Sequence, residues 1–265
     1  MTVKPARKPR SRRNFLRTAM LGIGVIGSAL LGYLPVLGSA KRRIIRPPGA
    51  LDENEFLASC IKCGQCVQVC PVEAIKLADI DEGFAIGTPY IETRNQACDF
   101  SCDGLQCVLA CPTGALTHAI NYSHETEMGW ARVVRPDLCL AAQGLGVKGP
   151  ARGPAFEGLL RYAEIDRWNP IRVSEYDYDL EVCDLCVRQC PIEIRRAQCD
   201  AGKPPSGDSN QCPPKPAISL QTDADGRLLP VIHEGCVGCG VCEMICPAEP
   251  AVLVMDWDRS EGVAA

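Results

Sequence analysis

Cys60-Ile-Lys-Cys63-Gly-Gln-Cys66-Val-Gln-Val-Cys70-Pro71 decides the reading of this chain, and Cys236-Val-Gly-Cys239-Gly-Val-Cys242-Glu-Met-Ile-Cys246-Pro247 repeats its spacing near the C-terminus. Two looser runs lie between them. Cys98, Cys102, Cys107 and Cys111 are followed by Pro112, and Cys183, Cys186 and Cys190 by Pro191. The third run lacks a first cysteine, and Cys139 is its candidate. The gaps Cys70–Cys98 and Cys111–Cys139 each hold 27 residues, which marks an internal repeat and makes Cys139 the opening of the third run.

The spacing has a physical reason. Short gaps let one loop wrap a 4Fe–4S cluster with three thiolates, while the cysteine before proline faces a neighbouring cluster. Proline there carries no N–H to leave unpaired, and its fixed φ suits a helix start. Gly64, Gly238 and Gly240 fall inside the loops, where backbone must pass close to the cluster. Four runs imply four clusters and sixteen ligands. By sequential exchange, Cys60, Cys63 and Cys66 join Cys111, and Cys98, Cys102 and Cys107 join Cys70. Cys139, Cys183 and Cys186 join Cys246, and Cys236, Cys239 and Cys242 join Cys190. A nested exchange, first run with fourth and second with third, uses the same residues.

Other readings of eighteen cysteines are weaker. Disulfide partners two residues apart rarely meet bridging geometry. Zinc sites call for Cys-x2-Cys pairs rather than four-cysteine runs ending in proline. No cysteine precedes a histidine, so there is no c-type haem attachment motif. His118, His124 and His233 show no ligand pattern and are read as solvated or core residues. Cys199 and Cys212 remain, and in an oxidising compartment they are a candidate disulfide, with two free thiols as the alternative.

That compartment is suggested by the N-terminus. Ser11-Arg12-Arg13-Asn14-Phe15-Leu16-Arg17 is a twin-arginine export motif. Residues 18–40 carry no charge and end on Gly38-Ser39-Ala40, small residues that suit signal cleavage. The run is also long enough to span a bilayer, although its five glycines make a weak anchor. Residues 22–27 match G-x-G-x-x-G but lack the strand–turn–helix context of a dinucleotide site.

Residues 1–40 contribute seven basic and no acidic side chains, so their removal takes the formal charge from −4 to −11. Such an acidic chain makes a poor nucleic-acid partner. Aromatic residues are 5% of the chain, and glycine and proline together number 45, which predicts a small conventional core with clusters in its place.

The expected organisation is a signal peptide over 1–40, an exposed linker over 41–50 and a two-cluster module over 51–125. A second two-cluster module over 126–257 carries insertions at 141–180 and 199–216, and a tail covers 258–265. The fold class is α+β, with two bacterial ferredoxin-like modules and loop-rich insertions. Asp52 and Glu55 predict a capping-box-like helix start. Residues 85–91, 131–134 and 229–232 read as strands. Residues 143–154 read as loop and 156–167 as a helix. Trp168, Tyr176 and Tyr178 are expected in the core of the insertion.

The twin-arginine motif, two regular outer runs, looser second run and split third run resemble the NapG/MauM family of periplasmic ferredoxin-type proteins over nearly the whole chain. The resemblance implies electron transfer from a NapH-type membrane quinol dehydrogenase to a periplasmic c-type cytochrome or reductase. The expected location is the periplasm, reached by twin-arginine export, with retention at the cytoplasmic membrane by the partner or an uncleaved signal as the alternative. The long Cys139–Cys183 segment departs from the compact third motif of the family. An iron–sulfur subunit of a molybdopterin oxidoreductase complex is the alternative. No acid, base or nucleophile constellation suggests a catalytic site.

Overall fold

The computed structural model describes residues 12–39, 44–79, 85–102, 104–162, 165 and 169–257. Ser11 of the export motif, Trp168 and the expected tail at 258–265 lie outside this set. The chain divides into two compact units, one of residues 1–42 and 79–86, which holds the first helix, and the other of residues 43–78 and 87–265. Helix α1, Arg12–Ser39, contains the charge-free run and the G-x-G-x-x-G residues. Among the described residues, no helix is long and apolar enough to cross a membrane.

In the second unit the helices are short because the cysteine runs interrupt them. They are α2 (Glu53–Ser59), α3 (Gln65–Gln68), α4 (Gln106–Leu109), α5 (Leu185–Arg188), α6 (Pro191–Asp200) and α7 (Val241–Met244). The strands form two-stranded antiparallel ladders. Strand β1 (Ile75–Leu77) pairs with β2 (Pro89–Ile91), opposing Ile75 to Ile91. Strand β3 (Trp130–Val133) pairs with β10 (Leu253–Asp256), closing a loop of more than a hundred residues with Leu253 opposite Val133. Strand β4 (Val147–Pro150) pairs with β7 (Asp177–Leu180), and β5 (Leu159–Leu160) with β6 (Ile171–Arg172) inside it. Strands β8 (Ile218–Thr222) and β9 (Leu228–Ile232) form a hairpin. The insertion at 141–180 is therefore a pair of nested ladders. The helix expected at 156–167 is absent over its described residues, where Leu159 and Leu160 are instead strand. Gln96 explains the difference. Its amide donates to Leu159 O at 2.9 Å and accepts from Leu159 N at 2.7 Å, holding that backbone extended.

The expected exposed linker is also corrected. Ile45, Arg46, Pro47 and Pro48 are buried. Ile45 O accepts from Ile91 N at 2.8 Å, which adds the segment to the β1–β2 ladder. The Arg46 guanidinium donates to both carboxylate oxygens of Glu53 at 2.9 and 2.6 Å, and to Thr88 Oγ1 and Pro89 O. It also lies over the Phe56 ring, 4.7 Å from its centroid. A buried guanidinium is tolerable only with its donors satisfied, and here they are. Helix α2 begins after Asp52, but without a side-chain cap bond. The acid that matters is Glu53, held by Arg46.

One apolar cluster runs through the second unit. It includes Phe56, Val108 and Leu116 before residue 125 and Leu185, Ile192, Val241, Met244 and Leu253 after it. Cysteines 66, 98, 107, 190 and 239 belong to the same cluster, so the sulfurs are core residues as well as candidate ligands. This core is larger than the composition predicts. Tyr162, Tyr176 and Tyr178 form an aromatic knot in the insertion, with Tyr162 stacked on Tyr176 at 3.9 Å. Tyr178 is buried there and shares a 2.9 Å hydroxyl hydrogen bond with Tyr162.

A polar seam joins the residues around 93–98 to those around 239–249. Arg94 donates to Glu243 O, to Cys246 O at 3.0 Å and to Ala248 O at 2.8 Å. Thr93 Oγ1 donates to the buried Glu243 carboxylate at 2.7 Å, which also accepts from Met255 N at 3.0 Å. Gly240, at φ +87°, sits against Thr93, and a Cβ there would come within 2.3 Å of Thr93 Cγ2.

Candidate metal centres

Three of the four loops that carry the cysteines share one construction. A residue in the left-handed region turns the chain and a single helical turn follows, whereas Asp184 before α5 has φ −126°. Gly64 (φ +72°) and Gly240 (φ +87°) make this turn before α3 and α7. Leu105 makes it before α4 at φ +50°, a costly conformation for a side chain with a Cβ, and it is buried in the core. Each turn presents a cysteine on the helix and delivers the next beyond its end.

The structure gathers sixteen sulfurs into four groups. Cys60, Cys63, Cys66 and Cys111 line one cavity with Phe56 and Leu116. Cys139, Cys183, Cys186 and Cys246 line a second with Leu185 and Leu253. Cys190, Cys236, Cys239 and Cys242 line a third with Ile192 and Val241. Cys70, Cys98, Cys102 and Cys107 make the remaining group: after burial, Cys70 raises the ionisation cost of Cys102 and Cys107, and Cys102 and Cys107 raise that of Cys98. Cys139, distant in sequence, thus lies with Cys183 and Cys186.

Each of the three cavities has about 20 Å³ of space, more than one water molecule needs. Among the described residues, no group of three or more His, Cys, Asp or Glu has the arrangement of a single-ion site. Four cysteines around an apolar void are the donor set of a 4Fe–4S cluster.

The electrostatics agree. Burial is the largest cause of a raised thiol pKa throughout, and it pushes Cys66 to about 11 and Cys107 to about 12. Cys183 is pushed to about 11 and Cys190 to about 12 by the same cause. Cys98, Cys186, Cys239 and Cys242 rise well above 9.0, again through burial first and neighbouring cysteines second. Cys111 is the exception. Burial raises it, but the N–H groups of Leu116, Thr113 and Gly114 outweigh that and leave it low. Leu116 N donates to Cys111 Sγ at 3.4 Å, and Ala74 N does the same to Cys70 Sγ at 3.3 Å. Thiols this deep become thiolates only with a compensating positive charge, which iron supplies. The donor set therefore fits 4Fe–4S clusters.

Comparison with known proteins bears on the same residues. The 4Fe-4S dicluster domain family matches residues 59–141. Ferredoxin-type protein NapG of Escherichia coli (strain K12) is 31% identical over 271 residues, covering 98% of this chain and 91% of its own length. The methylamine utilization ferredoxin-type protein MauM of Paracoccus denitrificans (strain Pd 1222) is 31% identical over 264 residues, covering 97% and 92%. The chain belongs to the NapG/MauM family of ferredoxin-type proteins. As a member of that family with a dicluster domain, it is an iron–sulfur electron-transfer protein. Ferredoxin-type protein NapF of Escherichia coli (strain K12) is more distant, at 22% identity over 77% of this chain. No solved structure matches the chain significantly.

Cys199 and Cys212 lie apart from the four groups and are bonded to each other, with Cα atoms 5.9 Å apart. Cys199 occupies the last turn of α6 rather than a loop, so the bridge ties a helix end to the segment leading into β8. The histidines make structural contacts. His118 Nε2 bonds Val108 O at 2.8 Å, His233 Nε2 bonds Ser219 Oγ at 2.7 Å, and His124 stacks on Tyr122. Sequence reasoning missed Arg94, Thr93, Gln96 and Glu243, which hold the loops in register. None belongs to a motif, and no local signal marks them.

Proposed function

We propose that this member of the NapG/MauM family carries four 4Fe–4S clusters on the sixteen grouped cysteines. It passes single electrons, in the periplasm, from a NapH-type membrane quinol dehydrogenase to a c-type cytochrome or reductase. The observation that supports this most is the exchange of the last cysteine between runs. Each group takes three sulfurs from one run and its fourth from the neighbouring run. A four-cysteine cluster supplies one-electron chemistry without an open iron position. The chain's contribution is to hold the sulfurs, keep water from the apolar walls and shape the surfaces that partners meet. Export by the twin-arginine route accords with this, since that route carries proteins already folded around their cofactors.

The test has two parts. Protein isolated with its clusters intact is expected to hold about sixteen iron atoms per chain; about eight would refute the four-cluster reading. In right-side-out membrane vesicles containing a NapH-type partner, which expose the periplasmic face, quinol is expected to reduce the clusters. Reduction that proceeds equally without the partner would refute the assigned donor. Arg12→Lys with Arg13→Lys is expected to leave the loaded protein in the cytoplasm, and unaltered periplasmic yield would refute the export route.

A further inference from the structure

The runs are numbered by sequence, and a line of clusters in that order would read first, second, third, fourth. The contacts between the groups say otherwise. The groups are named here by the run that supplies their first three sulfurs. Within the first half, Cys66 lies in α3 and Cys70 just past its end, four residues and roughly 6 Å further along the helix direction, with Cys66 in the first group and Cys70 in the second. Cys107 in α4 and Cys111 past its end are arranged in the same way, and α3 packs on α4. Within the second half, Cys186 in α5 is followed by Cys190 and Cys242 in α7 by Cys246, joining the third group to the fourth. Helices α5 and α7 pack together.

The join between the halves is the deciding contact. Cys98 N donates to Cys239 O at 3.2 Å. Cys98 belongs to the second group and Cys239 to the fourth. The same seam carries Ala97 N to Met244 Sδ at 3.2 Å and Thr93 to Glu243 at 2.7 Å. Gly240 has no room for a Cβ against Thr93, so the backbone of the fourth loop lies directly on the segment that leads into the second.

We propose that the four groups form a line in the order first, second, fourth, third, so that electrons enter and leave at the first and third groups. This rests on the four-cluster reading above. The first end reaches the surface at Cys63, which is exposed. The third is bordered by exposed Leu138, Leu145 and Val182, next to Cys139 and Cys183. Leu145 comes from the insertion and accepts from Cys183 N at 2.9 Å. The insertion thus forms part of one terminus of the line.

Magnetic coupling between reduced clusters tests the order without reference to turnover. Each reduced cluster broadens the paramagnetic resonance of its immediate neighbours. Cys236→Ser, which removes the fourth cluster, is expected to narrow two of the three remaining signals. Cys183→Ser, which removes the third, is expected to narrow one. The reverse result, two for Cys183→Ser and one for Cys236→Ser, is the sequence-order line and overturns the proposal. If either serine variant fails to fold, aspartate at the same position keeps an oxygen ligand and shifts that cluster's own signal. The signals that share splitting with the shifted one are then counted instead. Iron analysis of the unsubstituted protein separates the two claims. A full complement with the reverse count refutes only the order, whereas iron for fewer than four clusters refutes the four-cluster reading itself.

Discussion

Arg94→Ala should weaken the protein at its seam by about 3 kcal/mol. Arg94 is a loop residue with a side chain only 21% exposed, and it donates to three backbone carbonyls, those of Glu243, Cys246 and Ala248. A hydrogen bond from a charged donor contributes about 1.5–3 kcal/mol net, and the orphaned carbonyls add a desolvation cost. Three such bonds would suggest more than the figure given, but two effects reduce it. Arg94 pairs with Glu249 at 2.8 Å as well, but Glu249 also pairs with Arg152 at 2.7 Å, so its carboxylate keeps a partner, and a pair on a 65%-exposed side chain contributes little. Arg152 is held below its ordinary pKa by burial and then by repulsion from Arg94, and that repulsion would be relieved. A loss of about 3 kcal/mol is roughly a hundredfold in the folded-to-unfolded ratio. The assay is denaturant titration of the loaded protein, followed by bleaching of cluster absorbance and by far-ultraviolet circular dichroism. Arg94→Lys should recover only part of the loss, because an ammonium cannot reach three carbonyls from one plane. A midpoint for Arg94→Ala within about 0.5 kcal/mol of the unsubstituted protein, the range of neutral surface changes, would refute the seam as a source of stability.

Four further outcomes are expected. Phe56→Ala removes a side chain with no exposed surface beside Cys60, so it should cost about 3–5 kcal/mol and release the first cluster before the others; simultaneous loss of all clusters would argue against a local effect. Cys139→Ser should abolish or convert one cluster by electron paramagnetic resonance, and an unchanged spectrum would remove Cys139 from the ligand set. Cys199→Ser should lower stability by about 3 kcal/mol on the loop-closure model while leaving the iron content unchanged; loss of iron would show a ligand role instead. Iron loading should release protons and weaken as pH falls. Thiols pushed to about 11 (Cys66, Cys183) and about 12 (Cys107, Cys190) are protonated at neutral pH and must lose those protons to bind. Loading in weakly buffered solution with no fall in pH would refute this.

The sequence by itself determined the chemistry of the sites. Thiolate spacing dictates how a loop can wrap an inorganic core, and that geometry is set within a few residues, so Cys60–Cys70 and Cys236–Cys246 are legible without neighbours. The strands read at 131–134 and 229–232 are legible for the same local reason, and they fall at 130–133 and 228–232. Tertiary structure decided the rest, because it depends on contacts between residues far apart in the chain. Spacing leaves sequential and nested exchange equally open; the packing of α3 on α4 and α5 on α7 places the sulfurs in their groups. KRRIIRPPGA reads as a charged linker until Glu53, Thr88 and Pro89 satisfy Arg46 and allow its burial. Residues 156–167 read as helix until Gln96, about sixty positions away, holds Leu159 in an extended ladder. The adjacency of the second and fourth groups comes from one hydrogen bond between Cys98 and Cys239 and from a glycine with no room for a side chain. A periodic pattern cannot record a contact of that span, because it is fixed only when the apolar core has brought the two halves together.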